Sequence, residues 1–164
     1  MQKQKGFSLI ELLIVVAIIL IIAAIAIPNL LRARMAANEA SAVASIRTVN
    51  TAEITYSSTY PTTGFANTLA ILGPNANPCT PAVANACLID SVLAGTVKSG
   101  YQFSAASAGG VPATRYYVAA SPVTPNQTGL RSFCSFEDAV VRVQPAGGAI
   151  ATEAACQALL PLNQ

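Results

Sequence analysis

One acid stands alone in a long apolar run. From Phe7 to Ile27 the chain reads FSLIELLIVVAIILIIAAIAI, and Glu11 is the only charge in it. An acid near the centre of a membrane helix costs about 2.5–3.5 kcal/mol. Glu11 lies only four residues from the start of the run, so it can instead reach an interface or take up a proton. Its other use is as a counter-charge for a buried amine. The four cysteines are Cys79, Cys87, Cys134 and Cys156. An even number beyond an apolar segment fits an oxidising compartment, and three pairings are possible. Zinc is a poor alternative, because there is no C-x-x-C and no His. Unpaired, buried cysteines are the remaining reading.

The rest of the side-chain chemistry is thin. Without His there is no His-based triad, no His metal site and no imidazole acid–base work. The acids Asp90, Glu137, Asp138 and Glu153 are scattered. Glu137 and Asp138 could contribute to a calcium site, but such a site takes several more oxygens, so a solvated turn is the expectation. Asn126-Gln127-Thr128 matches a glycosylation sequon, a short and weak pattern. Tyr56, Tyr60, Tyr101, Tyr116 and Tyr117 read as packing residues. No nucleophile–base pair, phosphate loop or paired carboxylates stand out, so the sequence reads as non-enzymatic, with no catalytic residue, cofactor or metal.

Composition agrees with an anchored chain. Of 164 residues, 53% are hydrophobic and 10% charged, far below the quarter charged of a typical soluble domain. The net charge of +2 is too weak and scattered for a nucleic-acid groove. The apolar run is long enough, at about 32 Å as a helix, to span a hydrocarbon core. A secretory signal has a shorter apolar region, so a retained membrane helix is expected. Lys3 and Lys5 precede the run, and Arg32 and Arg34 follow it. Charge alone therefore does not orient the helix.

Pro28 lacks an amide donor and clashes with the preceding turn. It is expected to kink a helix that continues, because Asn29–Tyr56 holds no further Pro or Gly. Ala42, Ile46, Val49 and Tyr56 recur at near-helical spacing, flanked by Val43 and Ala52. Arg47, Asn50, Thr51 and Thr55 are assigned to the opposite side, and Glu53 to the edge of the stripe. The helix Phe7–Tyr56 would be about 75 Å long. Tyr60-Pro61-Thr62-Thr63-Gly64 breaks it. A loop-rich stretch follows, with short helices expected at Asn67–Leu72 and Leu88–Leu93. Strands are expected at Gly100–Ala105, Thr114–Ala120 and Ser132–Val143, the last bending or splitting at Glu137-Asp138. Pro145 and Gly147-Gly148 would end the sheet, before a helical turn in Ala151–Leu160. Helix first and antiparallel sheet after gives an α+β class.

The run KGFSLIELLIVVAII, Lys5–Ile19, resembles the type IV prepilin signature, which is shared with the pseudopilins of type II secretion. A weaker resemblance extends through Asn38–Pro61. The resemblance implies that a prepilin peptidase cuts between Gly6 and Phe7 and methylates the amine of Phe7. It also implies that Glu11, fifth in the mature chain, serves assembly, and that Pro28 is the helix-kinking proline. The favoured disulfides are Cys79–Cys87, closing a small Pro/Asn loop, and Cys134–Cys156, tying the C-terminal tail to the sheet. The second resembles the disulfide-bounded C-terminal loop of many pilins.

The resulting organisation is a leader at 1–6, a transmembrane and filament-core helix at 7–28, its amphipathic continuation at 29–58 and a globular head at 59–164. Removing Lys3 and Lys5 with the leader would balance basic and acidic side chains. The expected function is a structural subunit of a type IV pilus, serving adhesion, motility or DNA uptake. The alternative is a pseudopilin of a type II secretion system. Implied partners are further copies in a helical filament, the prepilin peptidase, an assembly ATPase, an inner-membrane platform and the membrane itself, with no nucleic acid bound specifically. The precursor would be a single-pass protein of the bacterial inner membrane with a periplasmic head, and the product an extracellular pilus.

Overall fold

The computed structural model describes residues 7–162. Two compact units divide the chain, Met1–Arg34 and Met35–Gln164. The helix α1, Leu9–Thr59, contributes to both. Leucine, isoleucine, valine and alanine sustain its first part, where long or small apolar side chains have no polar group to compete for the backbone. Pro28 lies inside α1, which continues past it.

In the second unit one face of α1 is buried. Ala42, Ile46, Val49, Ala52 and Tyr56 are buried there, as their spacing predicts. Two polar neighbours depart from expectation. Asn50, assigned to the outer side, is buried, and Glu53, assigned to the stripe's edge, is 0% exposed. Ile46, Asn50 and Glu53 follow the i, i+4, i+7 spacing of a single helix face, so the core claims them with the apolar residues. Burial then requires partners. The Asn50 amide donates to Ser135 Oγ at 2.9 Å and accepts from the Tyr116 hydroxyl at 3.2 Å. Glu53 Oε2 accepts from the Ala66 amide at 2.8 Å, while its Oε1 has no partner. Desolvation pushes the Glu53 carboxyl up to about 7, against the lowering effect of the Ala66 bond.

A further acid fastens the near end of this stretch. Glu39 Oε1 accepts from the Leu130 and Arg131 amides at 3.0 and 3.1 Å, and its Oε2 pairs with the Arg131 guanidinium at 2.7 Å. Beside it Asn38 donates to the Thr128 carbonyl. Burial alone would raise the Glu39 carboxyl, but the bonds from Arg131 and Leu130 together hold it below its ordinary value.

The sheet is an antiparallel meander of six strands in sequence order. They are β1 (Val97–Lys98), β2 (Tyr101–Ala108), β3 (Arg115–Pro122), β4 (Ser132–Phe136), β5 (Arg142–Gln144) and β6 (Leu160–Pro161). The three expected strand regions are β2, β3 and the pair β4 and β5, which splits at Glu137-Asp138. The sheet does not end at Pro145: β6 returns to pair with β5, Val143 opposite Leu160. A two-residue strand shows no alternation, so neither β1 nor β6 is legible as a periodic pattern. Short helices α2 (Leu69–Leu72), α3 (Ser91–Ala94) and α4 (Glu153–Gln157) complete the unit. Asp90 caps α3 through the Leu93 amide, and Thr152 caps α4 through the Ala155 amide. Phe103, Tyr116, Val118 and Phe133 meet the α1 face in the main core. Gly64, at φ +80°, runs so close to the Ala113 backbone that a Cβ would collide with it.

Disulfides join Cys79 to Cys87 and Cys134 to Cys156. The second links β4 to α4 and packs with Ala119, Phe136 and Ile150 in a separate small core. A disulfide closing its 22-residue separation is worth roughly 3 kcal/mol in the chain-entropy model. Cys156→Ser should therefore loosen the tail and lower the melting point. A non-reducing peptide map of the wild type should show Cys134 joined to Cys156, and one showing Cys79 joined to Cys134 would contradict that linkage.

Glu53 sets a pH dependence. A carboxyl raised in the folded state binds its proton more tightly folded than unfolded, so its stabilising effect is complete below the unfolded value and fades as pH rises through about 7. Between pH 5 and 8 the wild type should lose a few kcal/mol, roughly, on this account. Glu39, shifted the other way, acts only in more acid solution. Glu53→Gln should flatten the profile of urea midpoints in non-ionic detergent across that range. Equal slopes in both proteins would refute the assignment.

Candidate functional site

The first unit is built around the start of α1. Phe7 is 78% exposed, and Ile10, Leu13, Ile14, Ile18, Leu20, Ile21 and Ile25 are exposed with it. Such a surface is larger than a soluble monomer leaves in water. Within it, Glu11 Oε2 accepts a hydrogen bond from the backbone amide of Ser8 at 3.0 Å. The Leu12 amide donates to the Ser8 carbonyl, closing the first helical turn. Glu11 thus satisfies one of the orphan donors at the helix start, and its negative charge suits the positive end of the helix dipole.

This role was readable in the sequence. Ser8-Leu9-Ile10-Glu11 is the S-x-x-E pattern of a capping box, in which the acid reaches back to the amide of the serine. The pattern sits inside the run that suggested a counter-charge, and the two roles are compatible. An ionised carboxylate has about four acceptor positions on its two oxygens, and Ser8 occupies one.

Phe7 precedes α1 in the first unit, and Pro28 lies nineteen residues into α1 counting from Leu9. Gly6 and the leader lie outside the described residues. The cysteines belong to the second unit and are all paired. Asp138 is held by Arg142 at 2.6 Å and accepts from the Val140 amide, so it serves the β4–β5 turn. Among the described residues no three His, Cys, Asp or Glu side chains gather where they could hold a metal. A groove of about 450 Å³ in the head is lined by Tyr56, Phe65, Ala66, Ile71, Val83 and other uncharged residues, none of them acidic or basic. The buried tyrosines are held as acids far from neutrality: desolvation pushes Tyr101 up to about 12 and raises Tyr116 as well. Tyr101 donates to the Arg131 carbonyl and Tyr56 to the Val83 carbonyl. These are structural bonds between parts of the head.

The polar groups described in the second unit serve packing and turns, whereas the first unit exposes an apolar surface with Glu11 near its start. A helix whose outer face carries no polar partner must be covered by lipid or by other apolar helices.

Comparison with known proteins falls on this same segment. Residues 1–27 match the family model for the prokaryotic N-terminal methylation motif. A 39-residue stretch is 67% identical to the type IV wide pilus major component PilA4 of Thermus thermophilus, covering 24% of this chain and 30% of that protein. A 51-residue stretch is 45% identical to the type IV major pilin protein PilA of Myxococcus xanthus, covering 31% of this chain and 23% of that protein. The matched part thus spans less than a third of either relative. No solved structure matches the chain. By its N-terminal methylation motif and the long helix that the motif opens, the N-terminal part of the chain is similar to type IV pilins.

Proposed function

We propose that this protein is a structural subunit of a type IV pilus. The observation that carries the proposal is the exposed apolar helix with Glu11 as its single acid, in a segment matching the methylation motif. The precursor waits in the inner membrane with its head in the periplasm. Prepilin peptidase removes residues 1–6 and methylates the amine of Phe7. An assembly ATPase and a membrane platform then move the chain into a helical filament of like copies. Helix packing in the filament covers the surface that lipid covered, so the gain per contact is modest and is repeated along the filament.

Glu11 supplies the register. On processing, Phe7 gains a positive amine, and a neighbouring copy entering the filament brings another. Pairing this amine with Glu11 compensates two charges that are each costly in an apolar surround, and removing one partner of such a pair typically costs about 3–5 kcal/mol. Pro28 relaxes the helix between its membrane half and its head half by removing one backbone hydrogen bond.

Two substitutions test this reading. Gly6→Val places a branched Cβ at the cleavage point. Unprocessed precursor should accumulate in membranes, and mass spectrometry finding normal N-methylated Phe7 in that variant would defeat the cleavage assignment. Glu11→Ala should be inserted and cleaved but should yield few or no filaments. Glu11→Gln separates charge from capping, because glutamine at this position still accepts from the Ser8 amide. Loss of filaments in both variants is the result expected from charge pairing. Normal filament density in Glu11→Gln would leave Glu11 with a capping role alone.

A further inference from the structure

Among the described residues, Arg32 and Arg34 have no counter-charge. Lys98, Arg115, Arg131 and Arg142 each hold an acid. Arg32, Arg34 and Arg47 form no ion pair among the described residues, and all three are exposed; Arg47 lies about 30 Å along the helix beyond Ile27, so only the first two sit near the end of the apolar run. Between Glu11 and Glu39 the helix α1 carries no acid at all. Glu39, the next acid along, is already occupied by Arg131.

Their position is set by the helix. Exposed Leu30 and Leu31 carry the apolar surface up to Arg32. At ~1.5 Å per residue, Arg32 lies about 8 Å and Arg34 about 10 Å beyond Ile27. If Phe7–Ile27 fills the hydrocarbon core, the headgroup layer occupies roughly the next 5–8 Å. Side chains on a helix lean toward its N-terminus, so both guanidinium groups reach back into that layer. Two residues on a helix are also about 200° apart, which puts the arginines on opposite flanks. A single docked partner faces one flank. A lipid leaflet surrounds the helix and meets both.

We propose that Arg32 and Arg34 form a two-sided clamp for the phosphates of anionic phospholipids, holding the unassembled subunit at a fixed depth in the membrane. Guanidinium binds phosphate through paired N–H donors, which a zwitterionic surface engages less strongly. The inference rests on the membrane-resident precursor proposed above. It adds a lipid class, and with it a step in assembly, since the lipids must be released as the helix leaves the bilayer.

The test uses the full chain reconstituted in vesicles of phosphatidylcholine with 30 mol% phosphatidylglycerol, a composition of about one anionic lipid in three chosen to resemble an anionic leaflet. Flotation after carbonate washing first scores insertion. A chain that does not float overturns the membrane reading and the clamp with it. For the inserted chain, the lipids retained after mild detergent extraction are measured by mass spectrometry. The wild type should retain phosphatidylglycerol about five-fold over its bulk ratio, with the excess falling at high salt. Arg32→Gln combined with Arg34→Gln should float equally well and return to the bulk ratio, while Arg32→Lys with Arg34→Lys, which keeps the charge but not the paired donors, should keep only part of the excess. A wild type at the bulk ratio, or a double glutamine variant that keeps the excess, would overturn the clamp and leave the filament reading standing.

Discussion

The apolar surface of the first unit has to be covered, and by the same kind of group along its whole length. Phe7 to Ile27 carries one carboxylate and no other charge, and its large side chains are exposed. Water is an unfavourable surround for them, at about 25 cal/mol for each Å². Lipid tails and other copies of the same helix are nearly equivalent to them, so a chain can pass from one to the other without crossing a large hydrophobic barrier. That equivalence leaves the hydrophobic effect unable to fix position along the helix. Any fixing of position falls to polar groups, and Glu11 is the single charged one in this run.

The second unit solves a different problem with the same helix. Here α1 buries an apolar stripe, and polar hooks set its register against the sheet. Glu39 gathers three donors from Leu130 and Arg131, Asn50 is held between Tyr116 and Ser135, and Glu53 receives the Ala66 amide. Sliding or turning the helix would strand these groups in a low-dielectric interior, at a cost of about 1–3 kcal/mol for each neutral donor or acceptor left unpaired. Apolar contacts supply attraction and the hooks supply position. The unpartnered Oε1 of Glu53 shows the limit of this arrangement, a carboxyl that the fold accommodates best when it carries a proton.

How much of this was legible follows from where each partner lies. The long helix, its apolar first half and the stripe of Ala42, Ile46, Val49 and Tyr56 are local patterns, and the sequence displays them directly. The resemblance at Lys5–Ile19 located the candidate processing and assembly residues, because that motif too is contiguous. Asn50 and Glu53 were misplaced because helical spacing gives a direction but not a depth. Their partners, Ser135, Tyr116 and Ala66, come from distant turns and strands. Glu39 gave no signal, since Arg131 lies 92 residues away. The capping role of Glu11 was in plain view in Ser8–Glu11 and was hidden by the more specific pattern surrounding it.

The edges of the sheet carry a consequence for growth. The outermost strands are β1 and β6, two residues each, with Lys98 on one and Pro161 on the other. A short edge offers few free amides and carbonyls to an incoming strand, lysine disfavours a second strand by desolvation, and proline has no amide to offer. Heads crowded side by side at high local concentration are thereby discouraged from zipping into a continuous sheet. An open edge would be a route to association that could not readily be reversed. By blunting both ends of the meander, the fold guards the head against joining other heads edge to edge.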